Sequence, residues 1–423
     1  MARIMIWPDL YKEHGHWLPC VNLANSLQEI GHTPEFMGIP DCASIVAPYG
    51  ATFHEILADV YSPGYSLENK LEPRDQRWKP HHLLPICRGA LDGIFSQSSP
   101  LRPDLLVSGY FTALETLLIR HKYSIPGVTI TTYLRHPSED PAMHAKMKLI
   151  YMPRAFSRAL IKSVRPDKPD MSFEEFVQPL ESEQSPELIP CPRELDFEDE
   201  DWNHRSNVFY VEPMILRTAL GPPTGPSPAP PTIRPGTSLI FATSGSQVQD
   251  YEARAREFFK NMIAMMQTQG MGSYHLVAAV GSKLLLELTE EYSGTNSLPS
   301  NITLYDWVSQ LDIFGNDDLR AVYMHGGLAT IKEAIWKKVP IVIVPHGKDQ
   351  LDNSLRLGRK GLGVVAQQDG LSPLNLRKLL TATTTSNWIK NSLTTMQGIM
   401  AVDEDKPAGQ KPSILKIQAV LGL

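Results

Sequence analysis

Residues 321–334 read AVYMHGGLATIKEA. An apolar run of strand character stops at His325-Gly326-Gly327, and a helical pattern carrying Glu333 follows almost at once. Core packing makes no demand for His-Gly-Gly at the end of a strand. Two glycines let backbone N–H groups approach a ligand closely, and a helix beginning near Thr330 presents unpaired N–H donors at its positive end. A phosphate suits such a turn. A plain strand-to-helix turn would use the glycines equally well, so the neighbouring segments have to decide.

Those segments repeat the same alternation. SLIFATSGS (238–246), YHLVAAVG (274–281), NITLYDWV (301–308) and PIVIVP (340–345) are short apolar runs, and EFFKNMIAMMQ (257–267) has helical spacing. In the first half, ARIMIW (2–7), TPEFMGI (33–39), PDLLVSGYF (103–111) and PGVTITTYL (126–134) are strand-like. LPCVNLANSLQEIGH (18–32) and TALETLLIR (112–120) carry apolar residues at helical spacing between them. Strands alternating with helices imply parallel sheets covered on both faces. Residues 150–205 are charged and interrupted by prolines, and read as helices and loops over a sheet edge. Between the halves lies GPPTGPSPAPPTIRPG (221–236), through which neither helix nor sheet interior can continue. The expectation is an α/β chain of two doubly wound, Rossmann-like domains facing across a cleft. They span 1–220 and 237–423 and are joined by a proline-rich linker, with the last helix able to pack back on the first domain.

Bulk properties fit two domains of about 200 residues. Of 423 residues, 42% are hydrophobic and 20% charged, and the formal net charge is −6. That balance points away from nucleic acid or an anionic membrane as the main partner. Four cysteines are widely separated with no CxxC pair, so neither a disulfide scaffold nor a zinc site is expected. MARIMIWPDL is too short an apolar stretch for a signal peptide, and no run of about 18 apolar residues exists to span a bilayer. A cytoplasmic protein without stable membrane insertion, monomer or homodimer, is the expectation.

Right-handed crossovers place the C-terminal ends of parallel strands on one sheet edge, where open α/β sheets bind ligands. Four loops of the second half therefore converge there: Ser244-Gly245-Ser246, Asp306-Trp307-Val308, His325-Gly326-Gly327, and the segment after Pro345 with Asp349-Gln350. Glu333 lies one helical turn from Thr330, about 4.5 Å along the axis, the offset from a phosphate to an adjoining ribose. Trp307 offers a stacking face for a base, and Ser246 a hydroxyl for the diphosphate. Asp349 and Gln350 combine an acceptor with a donor-acceptor, a set suited to sugar hydroxyls. Each has a bland counterpart: Trp307 as core, Glu333 as a solvated helix residue, Asp349 and Asn353 as helix caps.

The segment HGGLATIKEAIWKKVPIVIVPHGKDQLDNSLRLGRKGLGV (325–364) resembles the nucleotide-sugar signature of the UDP-glycosyltransferases, which include plant natural-product and bacterial macrolide enzymes. DWVSQLDIF (306–314) resembles the family's Trp-x-x-Gln segment, and GHWLPCVNLANSLQEIGH (15–32) its Gly-His-x-x-Pro opening. The resemblance implies a GT-B fold, with the acceptor held by the N-terminal half. It implies that His325, Thr330 and Ser246 contact the diphosphate, with Gly326 and Gly327 in the same turn. Trp307, Val308 and Gln310 would hold the base, Glu333 the ribose, Asp349 and Gln350 the transferred sugar, and Asn353 the phosphate side. It also implies an inverting hexosyltransferase that moves a sugar from a UDP-linked or dTDP-linked donor to a hydroxyl of a hydrophobic small-molecule natural product. The donor is a co-substrate, and no cofactor or metal is expected. Asp199-Glu200-Asp201 forms an Asp-x-Asp triplet, but in an acidic run without a preceding strand.

An inverting transfer needs a base for the acceptor hydroxyl, and a histidine of pKa near roughly 6.5 serves at neutral pH. His16 matches the family's catalytic histidine and falls in a polar loop where the first strand gives way to the first helix. The aspartate that usually orients it is missing, because PDLLVSGYF has Ser108-Gly109-Tyr110 in its place. Asp9, Glu13 and Glu115 are the replacements within the sequence. Without one of them the alternatives are a catalytically silent nucleotide-binding or auxiliary protein or, from another class, a sugar epimerase. Trp7, Trp78, Phe111, Tyr133 and Met143 suit an apolar acceptor, and suit a core equally.

Overall fold

The computed structural model describes residues 1–65, 80–198, 206–215, 232–245, 251–294, 297–367 and 369–423. Two parallel sheets organise them. The first contains β1 (Arg3–Trp7), β2 (Thr33–Gly38), β3 (Phe53–Glu55), β4 (Leu105–Gly109), β5 (Gly127–Ile130), β6 (Glu187–Pro190) and β7 (Val208–Val211), in the order 3-2-1-4-5-6-7. The second contains β8 (Ser238–Thr243), β9 (Tyr274–Ala279), β10 (Ile302–Tyr305), β11 (Leu319–Met324), β12 (Ile341–Ile343) and β13 (Gly363–Val365), in the order 10-9-8-11-12-13. Strands such as β4 and β12 are buried along their whole length, as helices on both faces require. The α/β, doubly wound architecture is therefore as the alternation implied.

Each sheet reverses its strand order at one place, between β1 and β4 in the first and between β8 and β11 in the second. Connections leave in opposite directions from those neighbours, which opens a crevice beyond their C-terminal ends. Register sets the crevice walls level. Trp7 pairs with Ser108, and Thr243 with Met324. The residues that follow β1 and β4, and those that follow β8 and β11, thus emerge side by side.

The helices that matter here are α1 (His14–Glu29), α2 (Ala113–Tyr123), α3 (Pro141–Tyr151), α4 (Arg154–Val164), α5 (Leu328–Trp336), α6 (Gln350–Arg359) and α7 (Pro412–Leu421). Three differences from the sequence reading stand out. α1 begins at His14 rather than Leu18, because Glu13 O accepts from the N–H groups of His16 and Trp17 and starts the helix before Pro19. His16 is therefore a first-turn helix residue and not a loop residue. Residues 187–190 (ELIP) form β6 inside the stretch read as helix and loop, and the short strands β3, β7 and β13 carried too few residues to show a period. α5 starts at Leu328, two residues before Thr330.

Three apolar clusters form the interior, and one crosses between the sheets. Leu134, Ile189, Cys191, Leu195 and Ile215 pack with residues of β8, β11, β12 and α5. α7 returns to the first sheet, where Ile414 and Ile417 join its core. Buried polar contacts add to this seam. Lys332 donates from Nζ to the carbonyls of Pro190 (2.8 Å) and Pro213 (2.6 Å), and Arg356 pairs with Asp196 at 2.7 Å. The four cysteines are free and buried. No helix among the described residues is long and apolar enough to cross a membrane.

Candidate active site

Two half-sites lie at the two switch points. In the first, the loop after β1 turns back on α1. The Asp9 carboxylate, 3% exposed, accepts from the backbone N–H of Tyr11 at 3.2 Å and from the His16 ring at Nδ1. A carboxylate oxygen can only accept, so Nδ1 carries the proton and Nε2, on the far side of the ring, keeps a lone pair. Burial lowers the affinity of His16 for protons. The hydrogen bond and charge of Asp9, aided by Glu13, outweigh it against an opposing Lys348, and leave the ring's pKa above the ordinary histidine value.

Why the acid comes from β1 is visible in the neighbouring strand. A Cβ on Gly109 would lie 1.6 Å from the Pro8 carbonyl oxygen, so no side chain fits where β4 ends. Ser108 is buried, and its Oγ has no hydrogen-bond partner among the described residues. Glu115 faces elsewhere, bonded to His82 at 2.9 Å and to Lys148 at 3.4 Å. Of the three candidate acids, Asp9 supplies a carboxylate to the His16 ring, while Glu13 adds its charge and accepts from the His16 backbone N–H.

Aromatic side chains flank that pair. The His16 ring stacks on Phe111 with centroids 5.1 Å apart, and Phe111 stacks on Tyr133 at 5.8 Å. Tyr110 and His144 complete the cluster, and Phe111 and Met143 are exposed. Trp7 is core, fully enclosed, so it drops out as an acceptor contact. Trp78 lies outside the described residues.

The second half-site is built around His325. Its ring occupies space that only glycines leave open: a Cβ at Gly245 would stand 2.4 Å from its Cε1, and one at Gly327 2.6 Å from its Nε2. Gly326 adopts φ +100°, a left-handed conformation that turns the chain from β11 into α5. Gly327 caps α5 without a side-chain bond, leaving the first-turn N–H groups to an anion. Burial, with the nearby His346, pulls the His325 pKa down to about 3, and Nδ1 has no hydrogen-bond partner among the described residues. The imidazole is neutral and half satisfied.

Other predicted residues gather around this turn with differing fitness. Glu333 projects from α5, and burial raises its pKa to about 7 in spite of Lys332. Trp307 is 54% exposed at the end of β10. Val308 beside it is buried in the core, so its side chain does not present a surface to a base. The Thr330 hydroxyl donates to Gln310 Oε1 at 3.1 Å, tying those two residues to each other. Asn353 donates to Gly326 O at 3.0 Å and to Asp349 Oδ2 at 2.9 Å, stitching α6 to the His-Gly-Gly turn. Gln350 bonds within the protein. Its Oε1 accepts from His346 and Gly347 N–H at 2.8 and 3.1 Å, and its Nε2 donates to Tyr251 at 2.8 Å. That amide closes the loop after β12. Ser246 and the Asp199–Asp201 triplet lie outside the described residues.

The two half-sites share one cleft. Burial raises the Asp349 pKa, against the bond from Asn353, while the charges of His16 and Lys348 lower it; Lys348 in turn acts on His16. Asp349 and Lys348 belong to the loop after β12 and His16 to the first turn of α1, on opposite walls. His136 and Asp352 also meet across the walls at 2.9 Å. Sequence reasoning passed over Lys332, although Leu328, Ile331, Lys332 and Ile335 fall on one helical face and mark it as an inward lysine.

Comparison with known proteins bears on the family and the fold. Residues 265–409 match the family model "UDP-glucoronosyl and UDP-glucosyl transferase". Over 122 residues the chain is 34% identical to UDP-glucuronosyltransferase 2A3 of Pongo abelii, a match that spans 28% of this chain and 23% of that protein. It is 21% identical to NDP-glycosyltransferase YjiC of Bacillus subtilis (strain 168), covering 96% and 95% of the two chains. The crystal structure of the glycotransferase of kitacinnamycin superposes with a TM-score of 0.72 over 99% of both chains, at 18% identity. The chain thus has the fold of the GT-B glycosyltransferases, and its residues 265–409 carry the sequence of the UDP-glucoronosyl and UDP-glucosyl transferase family.

Proposed function

We propose that this protein is an inverting glycosyltransferase that moves a sugar from a UDP-linked donor, or a dTDP-linked one, to a hydroxyl of an apolar, ring-containing small molecule. The observation that carries the reading is the meeting of a His16–Asp9 pair and an anion-binding turn at facing switch points. Residues up to about 220 hold the acceptor, and residues 237–423 the donor.

His16 Nε2 takes the proton of the acceptor hydroxyl as its oxygen forms a bond to the anomeric carbon. The carbon's bond to the diphosphate oxygen breaks, and the nucleoside diphosphate leaves with that electron pair. Asp9 holds the ring in the tautomer the step needs and stabilises the imidazolium that results. Backbone N–H groups of α5 and the His325 ring receive the charge that develops on the leaving group, a stabilisation that operates without a metal ion. Glu333, half-buried with its pKa raised, is a carboxylate in want of hydroxyl donors, which a ribose supplies in pairs and a deoxyribose does not. Trp307 stacks the base, and Asp349 accepts from the sugar. Phe111 beside His16 favours a flat acceptor.

The silent-protein reading rested on a missing acid, and Asp9 removes its motive. The test is transfer itself: mass spectrometry of purified protein with UDP- and dTDP-sugars and hydroxylated polycyclic acceptors. A glycosylated product that disappears in His16→Ala supports the assignment; undiminished product in that variant sinks it.

A further inference from the structure

Residues 141–166, PAMHAKMKLIYMPRAFSRALIKSVRP, hold six lysines and arginines and no acidic residue, in a chain whose net charge is −6. This stretch is α3, a two-residue turn and α4. Three of the six cations are matched by carboxylates outside it: Lys146 by Glu174, Lys148 by Glu115 and Arg165 by Asp167. Half-buried Arg158 donates to the Met171 carbonyl at 2.7 Å and lies over the Phe173 ring. Arg154, Arg158 and Lys162 recur every four residues along one face of α4. With Asp170 and Pro169 they line an open groove of about 530 Å³. The opposite face of α4, through Leu160, Ile161 and Val164, is buried.

Large apolar side chains stand exposed on the residues that lead into α4. Ile150 is 49% and Tyr151 79% exposed at the end of α3, immediately before Arg154. Met143, Met147 and Ile150 fall on one face of α3, and the first of them is also exposed. At the same end as Met143, His144 packs on Tyr110 and Phe111 of the candidate acceptor site.

We propose that the α3–α4 hairpin is a peripheral membrane-docking surface selective for anionic lipid headgroups. Tyr151 and Ile150 lodge at the headgroup boundary, and Arg154, Arg158 and Lys162 meet phosphates with their aliphatic stems along the interface. Whole-chain charge pointed away from such a partner, but charge segregation within the fold reverses that for this face. An acidic protein would satisfy the cations and leave Tyr151 and Ile150 unaccounted for; a bilayer takes both. Where the acceptor assignment above holds, the same surface delivers an apolar acceptor from the lipid to the aromatic cluster beside His16.

The test is flotation of the whole protein with phosphatidylcholine vesicles, with and without phosphatidylglycerol, at about 0.1 M and about 1 M salt. The expected result is binding to the anionic vesicles alone, lost at high salt and undiminished by free inorganic phosphate. Arg154→Glu with Lys162→Glu, and separately Ile150→Ser with Tyr151→Ser, should each reduce partitioning about tenfold or more. Both variants should keep the Tm and any turnover of a water-soluble acceptor. Equal binding to neutral vesicles, competition by free phosphate, absence of flotation, or retention by both variants overturns the proposal. None of these readouts depends on sugar transfer, so failure of the enzymatic assignment would show separately.

Discussion

Asp9 holds His16. The carboxylate that accepts from Nδ1 comes from the loop after β1, and the steric conflict between the Gly109 position and the Pro8 carbonyl keeps side chains away from the end of β4. The acid that meets His16 thus follows β1, beside β4 across the same switch point.

Asp9→Asn should therefore do two things at once. It removes the partner that raises the His16 pKa, so the acid limb of kcat/KM against pH, where the base becomes protonated, moves to lower pH. It also leaves the tautomer unspecified, and the plateau falls by about 10²-fold or more. A pH–rate profile identical to wild type would dismiss Asp9 as the positioning acid.

A side chain at Gly109 has nowhere to go. Gly109→Asp, the substitution that restores the family's pattern, should push on Pro8 and displace the loop carrying Asp9. The expected cost is about 1–3 kcal/mol of stability, measured by chemical denaturation, with no gain in turnover. A more active variant would show that the loop adapts.

Glu333 gives nucleotide binding a pH dependence of definite sign. Its free pKa is raised by burial to about 7, and ribose hydroxyls favour the ionised form, so binding lowers it and releases a proton. UDP affinity should rise with pH up to about 7 and flatten above. Calorimetry in buffers of different ionisation enthalpy reads that proton directly, and Glu333→Gln should abolish the dependence.

Trp307 separates binding from stability. Half its surface is exposed, so Trp307→Ala should leave the Tm nearly unchanged. Loss of a stacking face should still weaken nucleotide binding by about 1–3 kcal/mol in a titration. An unaltered Kd would place the base elsewhere.

The seam between the sheets should behave oppositely. Arg356 and Asp196 are both fully buried, and Arg356 also lies over the Phe197 ring. Arg356→Ala strands a buried carboxylate, for which about 3–5 kcal/mol of destabilisation is expected. Thermal unfolding reads it, and a change under about 1 kcal/mol would mean that solvent reaches Asp196.

Much of this was legible along the chain. Apolar runs of four to six residues, separated by helical spacing, gave away both sheets. Short strands such as β3 and β13 escaped because three residues show no period. His325, Gly326, Gly327, Glu333 and Trp307 were named from type and order, and the strand-end positions of all but the helical Glu333 follow from parallel topology alone. The loop-closing bonds of Gln350 were not foreseen, because a glutamine that faces a sugar and one that closes a loop look alike in sequence.

By itself, then, the sequence determined the alternation, the turn after β11 and the chemistry available there, because periodicity and glycine placement are local properties. Which groups meet was decided only by the fold. Asp9 reaches His16 because β1 and β4 run level and leave Gly109 no room. Gln350 and Thr330 are occupied because Tyr251 and Gln310 arrive from other strand ends, and His346 from the loop that Gln350 closes. Hydrogen bonds and charge depend on distances between loops, and only the packed sheets set those distances.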